Sequence, residues 1–553
     1  MNLTNPAQLS LQGEFHKRIH RSIEHLQALN TEEMRVEFTH PTDFWHWGAD
    51  YMGRWIAALG LLSRYTHQDY GVSAVVQEFI RFQNPDGSFG TFSDPHDFQE
   101  WFGMGRGLIG LVEAYEVDPN PSILESAARL GKYYVDHYPD LAECMYECYS
   151  NGLEGLVGLA RLTADPAFLL AARRVAETSV VYQGIRYSAE VASNGRRTPC
   201  AGQVHCQLST ARGLLDLYEL TGEDRYLKPV VELHAYIADE LLWVTGGIGF
   251  YYFRPEENET CADADWFRLN LQLWRLTGQV RYMHLAERIL LNQLYFNQLD
   301  NGAFCYLRGL QNRAGAAFDA CCSHHGPRAF YDALRYIYAT GAATLWVNLF
   351  MPGTAQLFVD DQPVDITTTL KNHADQMQVT IKFQQAPEHP LTLRCRIPEW
   401  TSGATCQING QAVDLAPQDG YISIARVWQA GDSLEMRFPF HVTVHQGEVL
   451  GKHTLNPGLI AVSYGPQIFC LNDSWNSQTR IHLVKVRISS DPARDFLARS
   501  ADRLEARGAT PEKPDETIIF SPLAQISGTP SGSGRIHTVR TPYYKVWISR
   551  LLP

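Results

Sequence analysis

The stretches GLIGLVEAYEVDPNPSILESAARLGKYYV (Gly107–Val135), GLEGLVGLARLTADPAFLLAARRVAETSV (Gly152–Val180), GLLDLYELTGEDRYLKPVVELHAYI (Gly213–Ile237) and LNLQLWRLTGQVRYMHLAERILLNQL (Leu269–Leu294) are variations on one unit. In each, apolar residues recur at three and four spacing, a short Thr-Gly, Asp-Pro or Pro-rich turn intervenes, and the spacing resumes. That is a helical hairpin. It returns at an irregular period of roughly 45 to 60 residues, and such hairpins bury a shared core by stacking on their neighbours. The stack could be an open solenoid or a closed toroid. Long inter-hairpin loops favour the toroid: NPDGSFGTFSDPHDFQEW (Asn84–Trp101) and VTGGIGFYYFRPEENETC (Val244–Cys261) suit one functional rim. No polar capping repeat, which a solenoid needs, is evident.

Working outward, the helical pattern runs from about residue 40 to about residue 345 and then gives way to a period of two. ATLWVNLFM, AQLFVDD, QVTIKF, LTLRCRI, GYISIARVW, SLEMRFP, LIAVSYGPQIFCL and IHLVKVRI read as short strands joined by Gly, Pro, Asn and Asp turns. Many short strands at regular spacing imply a β-sandwich. Residues 493–540 read as loops rich in Pro, Ser and Gly, with a last strand near TPYYKVWISRLL. The expected division is a helical domain over residues 1–345 and β-sandwich domains over residues 346–553.

The chain has 553 residues, too many for one core, with 45% hydrophobic and 19% charged residues, as in a globular enzyme. Its net charge of −13 disfavours nucleic acid and anionic membrane surfaces as partners, since both require a basic face. No apolar stretch is long enough to span a bilayer. The opening MNLTNPAQLSLQGEFHKRIHRSIEHL lacks a basic segment followed by an apolar run, so a cytoplasmic location is expected. An apolar face of the β region could support a homodimer.

The 11 cysteines, an odd number in a large chain, do not form a small-scaffold disulfide framework. Most fit buried, reduced thiols. Cys321-Cys322 differs, because adjacent cysteines bridge only with backbone strain and a pair in a reducing compartment raises the question of metal. In FDACCSHHGPRAFYDALRYIYAT (Phe318–Thr340) this pair precedes a helix expected to begin near Pro327, and a helix N-terminus favours thiolate. In ENETCADADWFRLNLQLWRLTG (Glu257–Gly278), Glu259 and Cys261 sit in the first turn of a helix that Asn258 or Thr260 could cap, and Cys261 and Asp265 share a face. Zinc usually takes four thiolate, imidazole or carboxylate ligands. Glu259, Cys261, Cys321 and Cys322 could supply them, with His324 and His325 as alternatives. The competing reading is buried structural thiols beside a capping carboxylate.

VTGGIG (Val244–Gly249), ETCA (Glu259–Ala262), AERILLNQL (Ala286–Leu294) and ACC (Ala320–Cys322) followed by Arg328 stand in an order that makes the chain resemble glycoside hydrolase family 127, the β-L-arabinofuranosidase family. LWVNLFM, LRCRIPEW, INGQAV, GYISIARVWQAGD and VSYGPQIFCLN extend the resemblance over nearly the whole chain. It implies an (α/α)6 barrel followed by β-sandwich domains, a zinc site and a retaining mechanism on a glycoside or oligosaccharide. By position, Cys321 would be the nucleophile, and Glu259, Cys261 and Cys322 would hold zinc with it. Glu287 would sit in the sugar pocket and Tyr306 would offer a pocket hydroxyl. The chemistry is coherent: zinc deprotonates a thiol and makes the thiolate less basic, so it can attack an anomeric carbon and later leave.

The sequence also departs from the family. The family's acid/base glutamate lies in a long loop between TGGIG and ETC, and here that loop is only FYYFRPEEN. Glu256 and Glu257 are nearest in sequence and Asp265 is nearest by helix geometry. Where the family has pocket histidines, QEWFGMGRGLIG carries Arg106 and AGQVHCQLSTARGLLDLYELTG carries Gln203, with His205 close by. Arginine brings a permanent charge and a fork suited to carboxylate, so an acidic sugar is one expectation. A structural pairing of Arg106 with Glu100 or Glu147 is the other. DFWHWGADYMGRW adds Trp45, His46, Trp47 and Asp50, with His46 expected in the cleft and the Trp residues suited to sugar stacking or to helix cores. Three functions follow: a retaining exo-glycosidase on a terminal furanoside or related, acidic, sugar; a non-catalytic carbohydrate-binding protein with a structural zinc; or a lyase or epimerase on a uronic sugar.

Overall fold

Six helices that are buried on nearly every face make the central element. The computed structural model describes all of the chain except residues 30, 40–47, 91–97, 139–151, 180, 183–202, 253, 311–314, 415–416, 448–457, 480–483, 490–491, 512, 514, 527, 532–535, 542–543 and 552–553. Its helical half comprises α1 (Gly13–Ala28), α2 (Thr31–Thr39), α3 (Asp50–Thr66), α4 (Val72–Arg81), α5 (Phe98–Val117), α6 (Pro121–His137) and α7 (Leu153–Thr163). It continues with α8 (Pro166–Thr178), α9 (Val204–Thr221), α10 (Asp224–Glu240), α11 (Thr260–Thr277), α12 (Val280–Arg288), α13 (Tyr295–Asn297) and α14 (Cys322–Tyr336). Helices α3, α5, α7, α9, α11 and α14 touch in that order, and α14 returns to α3, so the ring closes. Helices α1, α4, α6, α8, α10 and α12 pack outside it. This is the expected toroid.

The two layers differ in sequence for a physical reason. Inner α11 is buried at every position from Thr260 to Leu271, whereas outer α12 buries only Tyr282, Met283, Ala286 and Glu287. The glycines of the repeated units mark where inner helices pack closely, against backbone or against a neighbour's side chain. A Cβ on Gly110 would lie 2.6 Å from the carbonyl oxygen of Gly53, and one on Gly213 would lie 2.7 Å from the side chain of Leu153.

The axis of the ring is filled with charge. Asp265 Oδ1 accepts from Arg212 Nη1 at 3.2 Å and from Arg268 Nη1 at 3.3 Å. Arg212 continues to Glu154 at 2.8 Å, Arg268 to Asp332 at 2.5 Å, and Arg328 to Glu113 at 2.5 Å. Burial pushes the Asp332 carboxyl up, but Arg268, Arg335 and Arg212 together outweigh it and hold the pKa at about 2. The far mouth is a cavity of about 310 Å³ covered by Leu3–Pro6 and lined by the later turns of all six inner helices.

Two sheets follow the ring. A five-stranded sheet joins Asn2–Leu3, Tyr338–Gly341, Thr344–Val347, Leu391–Arg396 and Tyr421–Arg426. A seven-stranded sheet runs from Gln411–Val413 through Thr405–Ile408, Ser433–Pro439, Gln376–Gln385, Gln362–Asn372 and Gly353–Val359 to Leu9–Leu11. Alternate residues such as Leu357, Val364, Val379 and Met436 point inward, which is the period of two read from the sequence. A third, nine-stranded sheet closes on itself, because Leu459–Tyr464 pairs with both Ile548–Leu551 and Gln467–Asn472. Residues 493–540, expected as loops, contribute Phe496–Ser500, Arg503–Ala509, Glu516–Pro522, Thr529–Ser531 and Ile536–Arg540. The alternation in Arg503–Ala509 is carried inward by Leu504, Ala506 and Gly508, two of them too small to register as a strand pattern. Among the described residues, no helix is long and apolar enough to cross a membrane.

Two expectations follow. Helix propensity alone would make Gly110→Ala stabilising, but the contact with Gly53 reverses the sign. The variant should lose about 1–3 kcal/mol, read as a lower thermal midpoint, and a higher midpoint would refute the close packing. Asp332 has a depressed folded-state pKa, so its ionised form stabilises the fold above the unfolded value of 3.8 and that contribution is lost as pH falls through about 2. The midpoint difference between the parent protein and Asp332→Asn should therefore be constant above about pH 4 and shrink below it, in thermal unfolding followed across pH.

Candidate metal and catalytic centre

The inner helices present the candidate residues at one mouth of the ring. Asp50 and Arg54 start α3, His205 starts α9, Cys261 starts α11, and Cys321-Cys322 begin α14. A hairpin of Gly249–Tyr251 and Arg254–Asn258 leads into α11, with Glu259 as its extended N-cap residue. Asn258 and Thr260 are not caps, contrary to the sequence reading. Asn258 Nδ2 donates to the Ile248 carbonyl at 2.9 Å and to Asp263 Oδ2 at 2.7 Å, and Thr260 Oγ1 donates to the Cys305 carbonyl at 2.5 Å. Nor does α14 wait for Pro327. The Cys321 carbonyl already accepts the backbone N–H groups of His324 at 3.0 Å and His325 at 3.2 Å, so the helix begins at Cys322.

These two junctions bring Glu259, Cys261, Cys321 and Cys322 together, with ligand atoms all within 4.8 Å of one another. Cys261 Sγ lies 3.0 Å from Cys321 Sγ and 3.4 Å from Cys322 Sγ, and Cys322 Sγ lies 4.0 Å from Glu259 Oε1. Tetrahedral coordination at about 2.3 Å per sulfur sets sulfur pairs near 3.8 Å, so the thiols need spread by less than about 1 Å. Glu259 Oε2 is buried with no hydrogen-bond partner. An orphaned carboxylate oxygen beside three clustered thiols is costly unless a cation completes it. The residues therefore fit a metal ion.

The three thiols are not equivalent. Cys261 and Cys322 are fully buried, and burial pushes their pKa up. Cys321 keeps some exposure. Hydrogen bonds with Cys261 and Cys322, aided by Arg54, hold its pKa well below the thiol range against the effect of burial. Arg54 Nη1 is 3.5 Å from Cys321 Sγ, and Arg54 Nε donates to Asp50 Oδ1 at 2.6 Å.

His205 forms the second part of the site. Its Nδ1 lies 2.8 Å from Asp265 Oδ2 and its Nε2 lies 3.2 Å from Arg106 Nη2. Burial acts to raise the Asp265 pKa, but His205, Arg212 and Arg268 outweigh it and hold the carboxyl well below the usual range. A carboxylate kept ionised has no proton to give, so the geometry makes Asp265 an orienter of His205 rather than an acid. His205, Cys261 and His325 also group within 4.8 Å. Arg106 beside His205 makes that grouping a poor place for a second cation. His324 is not among the grouped ligand atoms, and its ring packs edge-on to Tyr51 at 5.3 Å.

Other expected residues fall in varied places. Tyr306 borders the quartet: burial and the charges of Glu259 and Cys322 push its phenol up. Gln203 precedes α9, bridges to Tyr251 through its backbone, and lies 3.8 Å from Cys206 Sγ. Glu256 is exposed and Glu257 half-buried on the strand before Glu259. His46, with Trp45, Trp47 and Glu147, lies outside the described residues. Glu287 is a correction. It sits on outer α12, paired with Arg396 and 3.0 Å from Trp400 Nε1, facing the β-sandwich rather than the sulfurs. The rest of its motif also docks and braces: in the π-helical turn Ile289–Leu294, Asn292 Oδ1 accepts the Ile468 N–H at 2.7 Å and Gln293 Nε2 donates to Asn258 Oδ1 at 3.1 Å. Sequence reading missed Arg54, although its spacing of four from Asp50 on one helix is the signal of an ion pair.

The family pattern described as "Beta-L-arabinofuranosidase, GH127 catalytic domain" matches residues 16–332, and that described as "Beta-L-arabinofuranosidase, GH127 middle domain" matches residues 344–440. The chain is 23% identical over 310 residues to a non-reducing end β-L-arabinofuranosidase of Bifidobacterium longum subsp. longum, a match covering 50% of this chain and 46% of that protein. It thus spans about half the length of that relative. A solved GH127 β-arabinofuranosidase shares the fold at 19% identity and a TM-score of 0.78, covering 99% of this chain and 98% of that one. The GH127 β-L-arabinofuranosidase of Geobacillus stearothermophilus T6 does so at 17% identity and a TM-score of 0.74, covering 98% and 100%.

Proposed function

The chain belongs to glycoside hydrolase family 127, and we propose that it is a retaining, exo-acting glycoside hydrolase whose nucleophile is the Cys321 thiolate. One observation carries the reading. Three thiols and one carboxylate from two helix starts converge at one mouth of the ring, and of the three only Cys321 keeps exposure. Glu259, Cys261, Cys321 and Cys322 would hold zinc, the ion favoured by thiolate-rich four-ligand sites. When bound, zinc supplies the charge that keeps the thiols deprotonated and makes the nucleophile a tolerable leaving group.

The residues then divide the work. Cys321 Sγ attacks the anomeric carbon, the C–S bond forms, and the C–O bond to the aglycone breaks. The departing oxygen takes a proton from a carboxylic acid. Water, giving its proton to that carboxylate, attacks the same carbon, and the C–S electron pair returns to sulfur. Two inversions give net retention. Side chains alternate along an extended strand, so Glu257 shares a face with Glu259 while Glu256 points away. With Asp265 held ionised and Glu256 exposed, Glu257 is the acid/base of this reading. His205, steadied by Asp265, and the Tyr306 hydroxyl would contact the sugar, with Gln203 at the rim.

The substrate of this reading is a terminal furanoside or related sugar, and Arg106 favours one bearing a carboxylate. An epimerase would need two histidines flanking a sugar. The rings of His205 and His325 are 4.9 Å apart and edge-to-face, too close for a sugar to lie between them. A non-catalytic zinc protein is the competing reading, favoured by the short loop before Glu259.

Carefully purified protein should hold about one zinc per chain. Cys321→Ser should lose hydrolysis of p-nitrophenyl furanosides and pyranosides by at least about a thousandfold, and NMR of the first product should show retention. Activity untouched by Cys321→Ser would sink the thiolate mechanism, and inactivity of the zinc-loaded parent on every glycoside would favour the binding protein. For Arg106→Ala, KM should rise far more for a uronic glycoside than for its neutral counterpart. Equal rises would remove the acidic substrate.

A further inference from the structure

Arg54 is a buried charge beside the sulfurs that this reaction scheme leaves unused. It lies one turn into α3 and is only 3% exposed. Its Nε is fixed on Asp50 Oδ1 at 2.6 Å, which leaves Nη1 aimed at Cys321 Sγ at 3.5 Å. The Phe102 ring covers the guanidinium at 5.3 Å. The same geometry touches neither Cys261 nor Cys322 among the described hydrogen bonds, so the contact singles out the accessible sulfur.

Charge explains why a strong N–H donor belongs there. Three thiolates and one carboxylate carry four negative charges, and a divalent ion offsets two of them. The remaining negative charge sits in a buried pocket beside the Arg54–Asp50 ion pair, which carries no net charge, so what Arg54 brings to it is an N–H directed at one sulfur. Arginine is the residue suited to that role, because it stays protonated and its fork serves two acceptors at once. Here one acceptor is Asp50 and the other is a sulfur.

We propose that Arg54 is a catalytic residue of this centre: a charge-assisted N–H donor to Cys321 Sγ that aims the sulfur at the mouth of the ring and stabilises it as the leaving group of the second half-reaction. Asp50 is its positioning residue. The inference rests on the retaining reading above. In the first half-reaction sulfur gives up its charge as the C–S bond forms, so the donor helps little. In the second, water bonds to the anomeric carbon and the C–S pair returns to sulfur, and Arg54 meets the charge as it forms. Removing Arg54 therefore slows the second step more than the first.

Cobalt(II)-loaded protein gives a readout that does not depend on turnover. A donor to a thiolate lowers the energy of the sulfur lone pair, so Arg54→Met should move the sulfur-to-cobalt charge-transfer band to lower energy at unchanged cobalt content. Arg54→Lys should keep part of the shift. An unmoved band in Arg54→Met overturns the proposal, whatever the activity. In turnover, Arg54→Met should accumulate the sugar adduct on Cys321, seen by mass spectrometry of quenched enzyme, with kcat down by about ten- to a hundredfold. Fully loaded, fully active Arg54→Met without adduct also overturns it. If the band moves but no glycoside is hydrolysed by the parent, the retaining reading fails while the Arg54–sulfur contact stands. Should Arg54→Met not fold, Arg54→Lys with a wild-type band and no adduct is the overturning result.

Discussion

Everything at this centre depends on six parallel helices meeting at one mouth. Each helix start carries roughly half a positive charge, from N–H groups that no preceding turn satisfies. Side chains placed there gain by being negative, and Glu259, Cys261, Cys321 and Cys322 all lie at the first residues of α11 and α14. The ring fixes their spacing as well as their charge, because α11 and α14 are in contact along the wall. Yet four potential anions exceed what helix starts can balance. That excess accounts for a metal-shaped donor set and for Arg54 packed against it.

A ring this wide must also fill its axis, and the sequence fills it with ion pairs rather than apolar side chains. Buried pairs add little net stability, because desolvation cancels much of the attraction. Their value here is orientation. Arg212 and Arg268 keep Asp265 ionised, Asp265 fixes His205 Nδ1, and His205 Nε2 faces Arg106 at the mouth. The chain of contacts from Glu113 and Glu154 at depth to His205 at the rim holds a side chain near the sulfurs in one tautomer and one pose.

What could be read from sequence followed from what is local. The hairpin units are legible because helical spacing repeats within each, and the quartet is legible because two short motifs, ETC and ACC, sit where helices begin. Ring closure, the Arg54–Cys321 contact and the Asp265–His205 pair join residues from different repeats, and no spacing encodes them. Glu287 shows the reverse error. Its motif resembles a pocket element, but α12 is an outer helix, and the partners that claim it, Arg396 and Trp400, lie over a hundred residues further on. The C-terminal strands were hidden because small residues such as Ala506 and Gly508 occupy the inward positions.

Those hidden strands bear on the chemistry. Ile536–Arg540 pairs antiparallel with Gly315–Phe318, which pairs in turn with Cys305–Leu307, and Thr529–Ser531 completes the sheet. Phe318 is three residues before Cys321 and its carbonyl accepts the Cys321 N–H at 3.3 Å. The turn that carries Cys321, the proposed nucleophile, is thus clamped from one side by α14 and from the other by the strand Ile536–Arg540. His25 of α1 adds a third anchor through Asp319 Oδ1 at 2.9 Å. The proposed attack and departure of the Cys321 sulfur along one line needs an immobile backbone, and the turn before the two cysteines is held by segments far apart in sequence, α1 and Ile536–Arg540.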